Sequence, residues 1–223
     1  MNQTAPASFV YDPPREPFLA VLHSDADLLV VDKPSGLLSV PGKAQEHSDC
    51  IEARAQQTYP EARIVHRLDM DTSGVMVLAM NAQAHRHLGL QFERRKTQKT
   101  YVAEVWGQIE NDAGEIDLPL ICDWPNRPKQ MVSFEHGKPA LTRWQVIARN
   151  ERTTRVRLFP FTGRSHQLRV HMLSLGHPIV GDRFYAPGDA LAASPRLLLH
   201  AESLTLHHPT GGGRVTFDAF CEF

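Results

Sequence analysis

Cysteine is scarce in this chain. The three present, Cys50, Cys122 and Cys221, lie far apart, and an odd, sparse set gives no disulfide framework. No two of them form a CxxC, which excludes a zinc ribbon. Long apolar runs are also lacking: Leu28-Val31 and Val75-Met80 are far too short to span a bilayer. The opening MNQTAPASFVYDPPREPF has neither the basic start nor the apolar stretch of a secretory signal, so the cytoplasm is the expected address. No GxxxxGK surrounds Lys33-Pro34-Ser35-Gly36, and no dinucleotide fingerprint occurs. Nor is there surplus charge of one sign, with 24 Lys and Arg against 25 Asp and Glu. What remains is ordinary: 223 residues, 42% hydrophobic and 22% charged, enough for one globular domain or two small lobes around a shared core.

The balanced charge is unevenly spread. Residues 1–62 hold nine acids and four bases, whereas residues 143–169 hold seven arginines and one acid, Glu151. A second basic tract contains Arg86, Arg94, Arg95, Lys96 and Lys99 against Glu93 alone. Two concentrated tracts in a neutral protein suit a local phosphate-binding face, or two solvated element faces with no partner.

Residues 1–17, rich in proline and polar groups, read as a loose tail, with the folded domain over 18–223. Strand-like stretches, β-branched or alternating, cover Leu28-Asp32, Val75-Met80, Thr100-Gly107, Met131-Glu135, Ala140-Arg149, Arg155-Pro160, Ser203-Leu206 and Arg214-Phe217. Helices are expected at Asp49-Thr58, Ala82-Arg94 and Ser165-Leu175. In the last, Leu168, His171, Met172 and Leu175 share one face, and His171 reads as a satisfied core histidine. Many strands, few helices and no regular alternation predict an α+β fold with a largely antiparallel sheet.

Two stretches are dense in chemistry. His66-Arg67-Leu68-Asp69-Met70-Asp71-Thr72-Ser73-Gly74 precedes an apolar strand, a place where a loop holds a carboxylate rigidly at the rim of a cleft. Asp71 has the surroundings of a turn former. Asp69 has no obvious capping task, which leaves it either a catalytic group or a second turn acid. The pair forms a DxD, but no companion acid or histidine is placed to complete a metal site. The other stretch is Thr162-Gly163-Arg164-Ser165-His166-Gln167-Leu168-Arg169, where a capped helix start attracts anions and Arg164 stands at its mouth.

Taken together, and in this order, these motifs resemble the RluA family of pseudouridine synthases. Lys33-Pro34-Ser35-Gly36-Leu37 with Val40-Pro41-Gly42 looks like its N-terminal signature, and His66-Arg67-Leu68-Asp69 looks like the motif carrying its essential aspartate. Tyr101 in Lys99-Thr100-Tyr101 matches the active-site tyrosine, and Thr162-Arg169 the basic motif. Gly176-Asp182 and Leu199-His200-Ala201 continue the match over about residues 18–223. Residues 117–130 are similar to the member that modifies both a large-subunit rRNA hairpin and the tRNA anticodon stem-loop.

The resemblance implies a long, mostly antiparallel mixed sheet in two lobes, with Asp69 in the cleft between them. No room remains for the S4-like RNA-binding domain found in some members. It implies an isomerase that detaches uracil at N1–C1′, turns it and rejoins it through C5, with no cofactor and no metal. One carboxylate suffices, because no external nucleophile is wanted. Asp69 attacks covalently or removes a sugar proton; the residues do not choose. Arg164 is expected to hold Asp69 ionised and aimed, and Tyr101 to stack on the base and exchange a proton. Arg67 is expected to fill the gap left by the flipped base. Lys33, His66, His166, Gln167 and Arg169 are the other expected RNA contacts, with the two basic tracts on stem phosphates. The partners implied are rRNA and tRNA stem-loops, met by a monomer away from any membrane. The rival readings are a non-catalytic RNA-binding module and a metal-dependent hydrolase using Asp69 and Asp71.

Overall fold

The two apolar runs become neighbouring strands. Leu28–Lys33 (β2) and Ser73–Ala79 (β4) pair antiparallel, with Ala20–Ser24 (β1) on the outer side of β2 and the two-residue Arg63–Ile64 (β3) adding to β4. All seven residues of β4 are buried, as befits a strand covered on both faces. Helices Ile51–Thr58 (α1) and Ala82–Glu93 (α2) bury Ile51, Ala55, Ala84 and Leu88 in one core with β2 and β4. The α2 start is capped by Asn81, whose side-chain oxygen accepts from Ala84 N at 2.8 Å. This is a computed structural model, and it describes residues 10–223.

The second half is built on long antiparallel strands: Gln98–Trp106 (β5), Leu141–Arg149 (β9) and Thr153–Pro160 (β10), with Ala113–Asp117 (β6) at the edge of β9. Ala103, Val105, Trp144, Val156 and Leu158 form its core with Leu168 and Met172 of helix Gln167–Ser174 (α3). Leu199–His207 (β11) joins the halves, parallel to β4 and antiparallel to β5, and carries Arg214–Asp218 (β12) on its other end. One ten-stranded sheet results, in the order β1-β2-β4-β11-β5-β10-β9-β6, with β3 and β12 off that path. Leu120–Cys122 (β7) and Gln130–Val132 (β8) form a separate hairpin, and Gly188–Ala192 (α4) is a short helix.

The α+β expectation holds, and the sheet is antiparallel except at β4–β11. Tyr101 packs against both cores, so the seam between the two halves runs past it. Of the expected tail, residues 1–9 lie outside the described residues. From Tyr11 on the chain is tied down: the Tyr11 hydroxyl donates to Asp49 O at 2.7 Å, and Arg54 donates to Pro14 O and Phe18 O. Among the described residues no helix is long and apolar enough to cross a membrane.

Candidate active site

Asp69 stands in the loop between β3 and β4, and a buckle of hydrogen bonds holds that loop. Ser39 Oγ donates to Leu68 O at 2.7 Å and accepts from Leu68 N at 3.1 Å. Ser35 Oγ donates to Asp71 O at 2.7 Å, and Gly36 N to Met70 O at 2.9 Å. At the centre is Lys33, wholly buried, whose ammonium donates to Pro34 O, Leu37 O and Met70 O at 2.9, 2.6 and 2.8 Å. The expected RNA contact at Lys33 is thus corrected: a side chain with no exposure cannot meet RNA, and it fastens the Asp69 loop instead. Burial pushes its pKa down to about 7, against the raising effect of the Asp71 and Asp69 charges. Asp71 itself pairs with Arg183 Nε at 3.0 Å.

The guanidinium beside Asp69 belongs to Arg169. Its Nη1 lies 3.3 Å from Asp69 Oδ2, while Nε and Nη2 grip the two oxygens of Asp182 at 2.7 and 2.6 Å. Arg169 is 2% exposed and Asp182 not at all, so this fork is held in a dry setting. Asp182 Oδ1 also accepts from the backbone N–H groups of Phe184 and Tyr185, whose rings flank the guanidinium at 5.2 Å. Arg164, the expected partner, instead donates from Nε to Pro139 O at 3.2 Å. The physical reason is the helix start. His166 sits in the left-handed region (φ 53°) and α3 begins only at Gln167, which turns Arg169 of the first helical turn toward Asp69.

The other expected contacts divide between the cleft and the frame. His166 reaches Asp69, with Nε2 4.0 Å from Oδ2, and its Nδ1 bonds the Tyr185 hydroxyl at 2.7 Å. Burial lowers its pKa. Gln167 is buried and spent on Thr162, Arg164 N, Leu141 O and Thr142, which leaves nothing for RNA. His66 accepts the Val77 N–H through Nε2 at 3.1 Å and stacks on Phe92, so it completes β4; burial pushes its pKa down to about 3 and keeps it neutral. His171 is the satisfied core histidine expected, bonded to Thr142 and Leu118 O. Arg67 is exposed on the cleft wall. Tyr101 lines the same cleft, and its pKa is raised by burial and by the charge on Asp69, so it stays a neutral phenol.

These side chains enclose a cleft of about 840 Å³, walled by both halves of the sheet and large enough for a nucleotide. The family model described as RNA pseudouridylate synthase matches residues 27–174. The chain belongs to this family of synthases. It is 58% identical over 214 residues to the dual-specificity RNA pseudouridine synthase RluA of Escherichia coli (strain K12), covering 96% of this chain and 98% of that one. The protein of the same name from Vibrio vulnificus (strain CMCP6) is 54% identical over 222 residues, 97% of this chain and 89% of its own. Among solved structures, human RNA pseudouridylate synthase domain containing 1 superposes with a TM-score of 0.76 at 28% identity, covering 90% of this chain and 82% of that one. The human domain containing 4 gives 0.72 at 26%, covering 91% and 88%.

In this synthase the arginine-rich tract does not form an open basic face. Arg143, Arg149, Arg155 and Arg157 pair with Glu115, Asp112, Glu104 and Glu202 on neighbouring segments, and Arg169 is committed to Asp182 and Asp69. Five of its seven arginines therefore already have a carboxylate partner, so the expected phosphate role of the tract requires RNA to displace those acids. The β7–β8 hairpin reaches the synthase's cleft through Pro128 and is tied to it by Tyr185, whose hydroxyl accepts from Gln130 N at 2.8 Å. It exposes Trp124, over which Arg127 stacks.

Proposed function

We propose that this synthase isomerises uridines to pseudouridine in RNA loops, in both a large-subunit rRNA hairpin and the tRNA anticodon stem-loop, with Asp69 as its catalytic residue. One observation carries the reading: the only carboxylate facing the cleft from the middle of the Asp69 loop is held by a buried arginine that a second, wholly buried carboxylate fixes from behind. Such a group is paired and aimed before substrate arrives, which is how preorganised electrostatics lowers a barrier. As the bond from C1′ to N1 breaks, Asp69 either attacks the nucleotide, in a bond that the C1′–C5 bond later replaces, or removes a sugar proton that is returned when the C1′–C5 bond forms. Tyr101, a neutral phenol, stacks on the base and relays a proton rather than serving as a standing base. Arg67, exposed two residues before Asp69, fills the stack that the flipped base leaves, offsetting a cost of about a few kcal/mol. The dual-specificity relatives support two loop substrates. The reaction is an isomerisation without redox change, carried out by a monomer in the cytoplasm.

The test is tritium release from [5-³H]uridine in isolated anticodon stem-loops and short rRNA hairpins, with this protein alone. Both hairpins release tritium with the parent enzyme. Asp69→Asn stops release while RNA affinity stays within a few-fold, since the amide keeps the shape and loses the charge. Turnover by Asp69→Asn removes Asp69 from the chemistry, and release from only one hairpin, or from neither, removes the dual substrate.

A further inference from the structure

Two buried or partly buried lysines flank the cleft, and their surroundings differ in kind. Every ammonium proton of Lys33 has a carbonyl acceptor within 2.9 Å. Lys99 has one hydrogen bond, a long one of 3.3 Å to Thr162 O, and among the described residues no carboxylate pairs with it. Two of its three donors are left for something else. Burial and the neighbouring charge of Arg95 push its pKa down to about 8, the signature of a cation short of counter-charge. The ammonium is only partly buried, and its remaining donors, with no counter-charge among the described residues, are open to an anionic ligand.

Its position says what use. Lys99 and Tyr101 are two apart on β5 and share a face, about 7 Å apart along the strand. Both line the Asp69 cleft, with Arg95 and Gly163 beside Lys99. A Cβ at residue 163 would stand 3.5 Å from Lys99 Nζ, so the glycine keeps the approach to the ammonium clear of any side chain. A nucleotide stacked on Tyr101 is long enough for one of its flanking phosphates to reach Lys99 in the same cleft. A base carbonyl would satisfy one donor and supply no charge; a phosphate oxygen pair satisfies both donors and neutralises the ammonium.

We infer that Lys99, with Arg95 at its side, forms a subsite for one backbone phosphate adjacent to the flipped uridine. The inference rests on the proposed substrate class and deepens it, from an RNA loop to a particular charged contact beside the target nucleotide.

The experiment measures binding, not turnover, in an Asp69→Asn background. A stem-loop substrate is made with a single neutral methylphosphonate at each linkage near the target uridine in turn. Each carries a 2′-O-methyl on the neighbouring sugar, with a phosphate control bearing the same sugar. One linkage next to the target weakens binding about tenfold when neutralised. Adding Lys99→Met weakens the charged RNA and reduces the further loss at that linkage alone, leaving the share that Arg95 holds. Lys99→Gln replaces it if the methionine variant melts below the parent. The subsite is overturned if both lysine variants remain as sensitive as the parent at every linkage, or if no flanking linkage is sensitive. Tritium release by the protein with Asp69 intact, on the same unmodified RNA, reports separately on the proposed reaction.

Discussion

Arg169 faces two carboxylates at once, and only its planar fork can do so. A lysine carries the same charge as a single point and cannot bridge Asp182 and Asp69 with parallel N–H bonds. Arg169→Lys is therefore expected to lower the single-turnover rate by on the order of 10²-fold, as when one preorganised donor is lost. It should also lower the melting temperature, because the wholly buried Asp182 loses half of its grip; removing a buried partner outright costs about 3–5 kcal/mol. Arg164→Met, by contrast, gives up one bond to a carbonyl and should stay within a few-fold of the parent rate at saturating enzyme. Tritium release and a thermal melt check both; a slow Arg164→Met beside a normal Arg169→Lys returns the role to Arg164. The residues alone leave Asp69 either a catalytic group or a second turn acid, and it is the resemblance to the synthase family that singles it out. It could not separate Arg164 from Arg169. That distinction depends on a left-handed His166 and on Asp182 arriving thirteen residues later, and neither leaves a local pattern. Lys33 misled for a related reason: the carbonyls that absorb it come partly from Met70, 37 residues away.

The contact between β4 and β11 is the hinge of the element arrangement, since it is the parallel pairing of the sheet and, with β11–β5, it joins the two halves. It is short, with His200 opposite Ser73 and Ala201 opposite Gly74. Gly74 has φ 112°, and a Cβ there would lie 2.3 Å from Ala201 O, so the strands approach closely only because residue 74 has no side chain. Gly74→Ala must move backbone or break the pairing and is expected to destabilise the protein by about 2–4 kcal/mol. Denaturant unfolding measures it, and a change below about 0.5 kcal/mol, the range of an ordinary surface substitution, shows that the junction yields. The strands with β-branched or alternating residues were legible, but those set by tertiary context were not. The start of β11 was lost because Leu199, His200 and Ala201 are all buried, so no alternation marks them. β1 was lost because its burial follows an edge, and β6 because Gly114 and two acids disguise it. For α3 the expected amphipathic stripe is replaced by burial all round from Gln167 to Met172, and Leu175 is left outside.

Over the whole molecule, most cations of the arginine-rich strands already have a carboxylate partner among the described residues. Thr100 and Tyr101 are adjacent on β5 and point to opposite faces. Arg157, paired with Glu202, borders a second hollow with Thr100, on the face away from Asp69. Exchanging Glu202 for a phosphate would gain Arg157 nothing and would leave the carboxylate beside the RNA's own charge. Around the cleft the position is reversed: Arg95 and Arg164 line it, and neither is ion-paired among the described residues. Each cation that neutralises a phosphate releases counterions and adds about 0.7–0.9 to the steepness of log K against log salt. Arg95→Gln and Arg164→Gln should therefore each reduce that slope by somewhat under one. Arg143→Gln and Arg157→Gln should leave it unchanged, although they belong to the more basic tract of the sequence. Affinity for one stem-loop, measured across a salt series for the parent and the four variants, decides between an RNA path confined to the cleft and one that crosses the arginine-rich strands. A slope lowered by Arg143→Gln or Arg157→Gln means that RNA displaces the internal acids, and the path then leaves the cleft over β9 and β10.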